Sequence, residues 1–284
     1  LQTIHWYPGH MAKAKRQLTD LIQYLDIIIE IRDARLPLIS HNQDLEPLLK
    51  KRPNLVLLNK TDLADPEVTG RWSDWFAGKG VSVVQVNGRN GQGVQAIWPK
   101  LTQQFAGKQT PRALRIGVVG IPNVGKSSIL NRITGSGSAK TGNLPGVTRG
   151  KQWIKRNGFE ILDMPGLLPP KINNQEDGIK LALIGTIREE IIPTYDLALV
   201  LLENYGEQLF GWSKERIVFE HIEEKLQWYA KKRGFLLKGG AIDLNRGASA
   251  LLNDFRNGQL GRISLELPPL DSGAESSSIA PAPR

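Results

Sequence analysis

The sequence contains no cysteine, which excludes disulfides and thiolate metal sites. That fits a reducing compartment. It has no apolar run approaching the ~20 residues that a membrane-spanning helix needs; the longest are short, such as Leu197 to Leu202. The amino-terminal stretch lacks the charged-then-apolar layout of a secretory signal. The expectation is a cytoplasmic protein, bacterial or in an organelle's stroma or matrix, with no membrane partner. Acidic residues are scarce in one region above all: residues 111–170 hold nine Lys/Arg against two Asp/Glu, whereas residues 171–265 balance at thirteen each. Most of the formal net charge of +9 over 284 residues therefore sits mid-chain. Such a surplus suits a polyanionic ligand, a nucleotide or a nucleic acid.

What is present is a series of short apolar runs, the first of them β-branched. Asp26 to Ile31 reads as a buried strand, and further strands are read at 54–58, 81–86, 115–119 and 159–162. Helical stretches separate several of them, among them 11–25 with Leu18, Leu21, Ile22 and Leu25 on one face. This alternation predicts an α/β domain with a mostly parallel sheet and helices on both faces. From about Asp177 onward helical patterns dominate, and Pro169-Pro170 marks the approach to that change. Residues 213–233 read as one helix capped by Ser213, with Phe219, Ile222, Leu226 and Tyr229 on one face and Gly234 as its stop. The expected organisation is an α/β domain over 1–174, a small all-helical domain over 175–267 and a disordered Ser/Pro/Ala-rich tail over 268–284.

The motif Gly120-Ile121-Pro122-Asn123-Val124-Gly125-Lys126-Ser127 matches G-x-x-x-x-G-K-[ST], directly after a strand and before an apolar-periodic segment. Its glycines let backbone N–H groups, from Asn123 through Ser128, curl around phosphates, with the positive end of the helix behind them. Lys126 would reach the β/γ-phosphates and the Ser127 hydroxyl would ligate Mg²⁺. Asp163-Met164-Pro165-Gly166 ends a strand 37 positions after Lys126. Asp163 suits the Mg²⁺ shell and a Gly166 N–H suits the γ-phosphate, with Thr148 in the intervening Gly-rich stretch as a further Mg²⁺ and γ-phosphate ligand. Asn59-Lys60-Thr61-Asp62 also closes a strand. Guanine presents acceptors at O6 and N7 and donors at N1 and N2. The Asn59 amide fits the first edge and the Asp62 carboxylate the second, while adenine would leave that carboxylate unpaired. The Lys60 stem can lie over the ring. Asn87-Gly88, ending the next strand, offers a backbone N–H to the base carbonyl. Together these motifs specify GTP over ATP.

Their order is unusual: the base-reading motif precedes the phosphate loop. The site is built by position in the sheet, so the same sheet forms if the old termini are joined, here through Gly107 to Ala113, and the chain is opened elsewhere. That is a circularly permuted P-loop GTPase domain. With Trp6-Tyr7-Pro8-Gly9-His10-Met11, Asp33-Ala34-Arg35-Leu36-Pro37 and Gly258-Gln259-Leu260-Gly261-Arg262-Ile263-Ser264-Leu265, the sequence resembles the YlqF/RbgA family of ribosome-assembly GTPases over about residues 4–267.

The resemblance implies GTP hydrolysis stimulated by the ribosomal particle, late maturation of the large subunit, and a helical C-terminal domain contacting 23S-type rRNA. Its partners would be GTP or GDP and a large-subunit precursor, and the chain would act as a monomer. Leu167 stands where Ras-like enzymes place a water-orienting Gln, and Leu cannot orient water. The resemblance assigns that role to His10; the plainer alternative is an exposed loop histidine ahead of a basic helix. Asn123 matches the loop residue that related GTPases use to bind K⁺, or is simply a polar loop residue. Candidate RNA contacts are Lys231, Lys232, Arg233, Lys238, Arg246, Arg256 and Arg262. A protein-interaction switch with no RNA role is the alternative, its helical domain gripping a partner through Trp228 and Tyr229.

Overall fold

In this computed structural model the described residues are 19–43, 46–49, 52–105, 112–135, 153–164, 172, 174–187, 192–215 and 217–269. His10, Thr148, Gly166 and Leu167 lie outside them, as do the start of the 11–25 helix, most of the Gly107–Ala113 linker and the tail from 270.

Six strands form one sheet: β1 Ile27–Asp33, β2 Asn54–Asn59, β3 Val83–Gln85, β4 Leu114–Gly120, β5 Trp153–Arg156 and β6 Phe159–Asp163. Their order is β3-β2-β1-β4-β6-β5. All neighbours are parallel except the β5–β6 pair. The central strand β1 is buried at every position, as expected where both faces of a parallel sheet are covered. Ile27, Ile29 and Ile31 pack on one face with Ile116, Val118, Ile97, Leu101, Ile129 and Ile133. Ile28 packs on the other with Leu21, Leu25, Val119 and Leu162. The period-2 split thus places helices on both sides.

The helices are α1 Glu46–Leu49, α2 Pro66–Gly78, α3 Ile97–Gln104, α4 Lys126–Thr134, α5 Gln175–Leu183, α6 Thr194–Phe210, α7 Trp212–Glu215, α8 Ile222–Lys232 and α9 Leu244–Arg256. No strand follows β6 among the described residues. The apolar core does not break where the helices take over: Leu181, Leu201, Leu226, Leu251 and Phe255 belong to the same cluster as the sheet residues.

Two elements differ from the sequence reading. Residues 213–233 are not one helix. The chain leaves helix after α7 and re-enters at α8, whose N-cap is His221. Ile217 and Val218 are β-branched and weak helix formers, and Glu224 reaches back to accept the Glu220 N–H at 3.0 Å, one residue ahead of the N-cap. The break lets Phe219 and Trp228 both pack on the buried Trp212, with ring centroids 4.8 and 5.7 Å away. Strand β5 was also not expected. Its signal was Asn157-Gly158, both at positive φ (47° and 79°), the dipeptide of a tight hairpin turn.

After α9 the chain runs back across the sheet domain as an extended strap. Ile263 N–H donates to Leu63 O and Leu265 N–H to Arg35 O, both at 3.0 Å. Glu266 accepts the Leu38 N–H at 2.8 Å, and its carbonyl accepts the Trp72 indole N–H at 3.1 Å. Burial pushes the Glu266 carboxyl up to about 7, despite the Leu38 and Ile39 N–H donors; Lys180 and Asp177 of α5 act on it with opposite signs. A carboxyl whose pKa is higher folded than unfolded supports folding fully below the ordinary carboxylate range, and that support is lost as pH rises through about 7. Compared with Glu266→Gln, the unmodified protein should therefore lose urea stability between about pH 5 and pH 8. Curves that stay parallel would show that Glu266 titrates alike in the folded and unfolded chain.

Candidate functional site

In parallel strands all carboxyl ends lie on one edge, and ligands bind outside that edge. The candidate residues that are described come from four such ends: Asn59 from β2, Asn87 just beyond β3, Gly120 from β4 and Asp163 from β6. Strand β1 lies between β2 and β4, so the base motif and the phosphate loop meet across the end of β1.

Helix α4 begins directly at the phosphate loop. Its N-cap is Gly125, at φ 91°, and no side chain caps the helix. The first N–H groups of a helix have no intrahelical partner, so they are available to an anion. Asn123 also has positive φ, 63°. A Cβ at position 125 would run into Asn59 Nδ2, so both conformation and space demand glycine there. The Lys126 ammonium meets the Asp163 carboxylate, so the proposed phosphate and metal donors face one another. The Ser127 side chain is exposed.

Asn59 is 2% exposed. Its Nδ2 donates to Val124 O at 2.7 Å, and its Oδ1 accepts the Gly88 N–H at 2.8 Å. It therefore clamps the phosphate loop to the loop after β3. An amide nitrogen has two hydrogens, so only one remains for a base acceptor, less than the edge-reading role read from sequence. Lys60, at φ 63°, places its ammonium 2.6 Å from Asn123 O and 3.0 Å from Asp33 Oδ2. Its stem thus spans from the base motif to the phosphate loop. Burial alone would raise the Asp33 carboxyl, but the Arg35 guanidinium and the Lys60 ammonium hold it well below the usual carboxylate range.

Asn87 and Gly88 require a correction. They line the cavity beside Asn59, but the backbone N–H of Asn87 is bonded to Gln92 O at 2.9 Å and that of Gly88 to Asn59 Oδ1. Neither is open to a base carbonyl. The Asn87 side chain instead shapes the turn, accepting the N–H groups of Arg89 and Asn90 at 2.8 and 3.3 Å.

The cavity has a volume of about 360 Å³ and is lined on the sheet side by Asn59, Lys60, Asp62, Gly88, Gly125 and Ser128. That size is within the range of small-ligand pockets. Its remaining wall includes Arg256 and Asn257, from the end of α9. Sequence reasoning placed neither there, because nothing local marks a residue of a distant helix as part of a pocket. The contact of Asn123 Nδ2 with Gly185 O, 2.6 Å, was equally invisible.

A family model described as "50S ribosome-binding GTPase" matches residues 115–236. Ribosome biogenesis GTPase A of Bacillus licheniformis is 40% identical over 282 residues, covering 93% of this chain and 98% of that protein. The structure of YlqF from T. maritima bound to GNP superposes with a TM-score of 0.67 at 29% identity, covering 90% of this chain and 98% of that one. The GDP-bound YlqF structure gives 0.69 at 29%, with 89% and 99% covered. A phosphate loop on β4, a base motif on β2 ahead of it in the chain, and full-length kinship place this chain in the ribosome biogenesis GTPase A family, the YlqF GTPases.

Proposed function

We propose that the chain is a GTP-hydrolysing docking switch: in its GTP form it binds a precursor of the large ribosomal subunit, promotes late assembly there, and is released on hydrolysis. The observation that carries this reading is the fusion of the base motif, the phosphate loop and the helical region into one body around a single cavity. Asp62 would read the N1/N2 edge of guanine, with Asn59 holding the base loop to the phosphate loop. The free N–H groups at the start of α4 and Lys126 would hold the phosphates. Ser127 and Asp163 supply hard oxygen donors of the kind Mg²⁺ prefers, and Thr148 would join them. Bound there, Mg²⁺ would neutralise charge developing on the phosphates. The Asn123 Nδ2 bond to Gly185 O leaves its Oδ1 suited to K⁺. Gly166 would sense the γ-phosphate, and α5 begins a short distance after it.

We assign water activation to His10, the role that the family resemblance implies for it, since Leu167 cannot orient water. A histidine near neutral pH suits that task. His10→Ala should slow particle-stimulated hydrolysis by about 10²-fold, the low end for general-base loss, while GTP affinity holds. Unchanged turnover would move the role elsewhere.

The proposed RNA face is narrower than the sequence suggested. Arg233 is paired with Asp254 at 2.6 Å. Arg256 donates to Leu183 O and Ala182 O at 3.0 and 2.9 Å, and Arg262 to Ala64 O and Thr61 O at 2.9 and 2.7 Å. These three hold the fold together. Lys231, Lys232, Lys238 and Arg246 remain as the RNA candidates. Lys232 lies 4.6 Å over the Trp228 ring and Arg246 4.7 Å over Phe235, a mixed basic–aromatic surface of the kind that binds single-stranded RNA.

A protein partner is the second reading. Tyr229 does not serve it, being buried with its hydroxyl donating to Asp254 at 2.7 Å; exposed Val218, Leu236 and Leu237 do. Co-sedimentation with large subunits should require GTP over GDP. It should also weaken by at least ~10-fold between about 50 and 200 mM salt, as expected for several phosphate contacts. Salt-independent docking would favour the protein partner, and equal docking in GTP and GDP would contradict the switch.

A further inference from the structure

The wall that closes the base cavity does not belong to the sheet domain. It is made by Arg256, the last residue of α9, and Asn257, the residue that follows it. Both are placed by contacts that reach other parts of the nucleotide site. The Arg256 guanidinium donates to the Ala182 and Leu183 carbonyls at the end of α5. Cations are favoured at a helix C-terminus, where carbonyls lack intrahelical partners. Two residues further on, the Gly185 carbonyl accepts the Asn123 amide of the phosphate loop at 2.6 Å. The segment 182–185 is therefore held from one side by the phosphate loop and from the other by the residue that lines the base cavity.

Beyond Asn257 the strap grips the loop that carries Asp62. Arg262 bonds the carbonyls of Thr61 and Ala64, on either side of Asp62 and Leu63. Ile263 N–H bonds Leu63 O, and Asp65 N–H donates to Ser264 Oγ at 3.2 Å. Gly258 packs so closely on Leu63 that a Cβ would meet Leu63 Cδ2 at 2.6 Å. Asn257 thus lies between two anchored stretches, with its own side chain exposed at the mouth of the cavity.

We infer that Arg256 and Asn257 are nucleoside-contacting residues supplied by the helical region, so that seating of the helical region against Thr61–Asp65 and retention of the nucleotide are thermodynamically linked. The guanidinium offers donors only and the Asn257 amide offers both donor and acceptor, which complements the acceptor-only Asp62 across the same cavity. Linkage is reciprocal. A partner that draws α9 and the strap off the base loop must weaken nucleotide binding by the factor with which the nucleotide opposes that movement. Docking through the helical region would then loosen GDP as well as respond to GTP, a built-in exchange device. This inference rests on the cavity being the guanine site.

The test uses the full chain and a fluorescent GDP whose release is followed by stopped flow. Asn257→Ala removes an exposed side chain, so melting of the nucleotide-free protein should be unchanged while GDP release quickens by about three- to tenfold, the loss expected for one hydrogen bond or desolvated contact. Arg262→Ala, which does not line the cavity, should also quicken release, with the association rate little changed. Arg262→Lys, which keeps a donor for Thr61 O, should restore part of the effect. Asp62→Ala serves as the separate check on the site: it should abolish GDP binding, and retained binding would remove the guanine-site reading itself. If Asp62→Ala loses GDP but Asn257→Ala releases it at the unmodified rate, the direct contact is overturned. If Arg262→Ala releases at the unmodified rate, the linkage is overturned.

Discussion

The carboxylate of Asp33 is the constraint on which the other parts of the site depend. It sits at the end of the central strand, between the strand that carries the base motif and the one that carries the phosphate loop. It is wholly buried, and both oxygens are engaged: Arg35 binds it in bidentate fashion at 2.9 Å through Nε and Nη2, and Lys60 approaches at 3.0 Å. A buried ion pair is costly to form and more costly to break, since removing one partner strands the other charge. Each cation then carries the connection outward. Lys60 continues to the phosphate loop at Asn123 O. Arg35 lies 5.7 Å from the Phe255 ring of α9, and its carbonyl receives the strap at Leu265. Base loop, phosphate loop and helical region are thus indexed to one buried carboxylate.

This arrangement gives the permuted chain order a physical consequence. An ordinary order and a permuted one build the same sheet, because strand position fixes the site. Permutation changes what the chain does after the strand that ends at Asp163. Here it passes into α5, whose end is held by both Asn123 and Arg256, and then into the helices that fill the rest of the core. The element that follows the Asp163 strand therefore ends against the wall of the cavity. Under the proposed function, that joint would couple nucleotide state to helical position.

Much of this was legible in the sequence, for reasons that can be named. The strands at 54–59, 114–120 and 159–163 are short apolar runs closed by motifs that support one another by order and spacing, and a phosphate loop carries its own strand–loop–helix context. The continuous β-branched run of β1 is equally plain. The misses were of two kinds. The break at residues 217–221 and the hairpin at Asn157-Gly158 are local, and their signals are paired β-branched residues with a reach-back glutamate and an Asn-Gly turn. The others were long-range. That the Gly88 N–H group is consumed by Asn59, and that Arg233, Arg256 and Arg262 serve as struts, depends on partners tens to hundreds of residues away. An arginine at a helix end looks the same in sequence whether it meets RNA or a carbonyl.

The proposed guanine specificity of these loops rests on Asp62. Titration calorimetry of GTP and XTP against the unmodified chain and against Asp62→Asn, in Mg²⁺, measures the recognition itself. The expected result is strong preference for GTP in the unmodified chain, on the order of 10⁴ over a base that mispairs with the carboxylate, and a reversal toward XTP in the variant. Equal affinity for both nucleotides in either protein, or a variant that still prefers GTP, would contradict it.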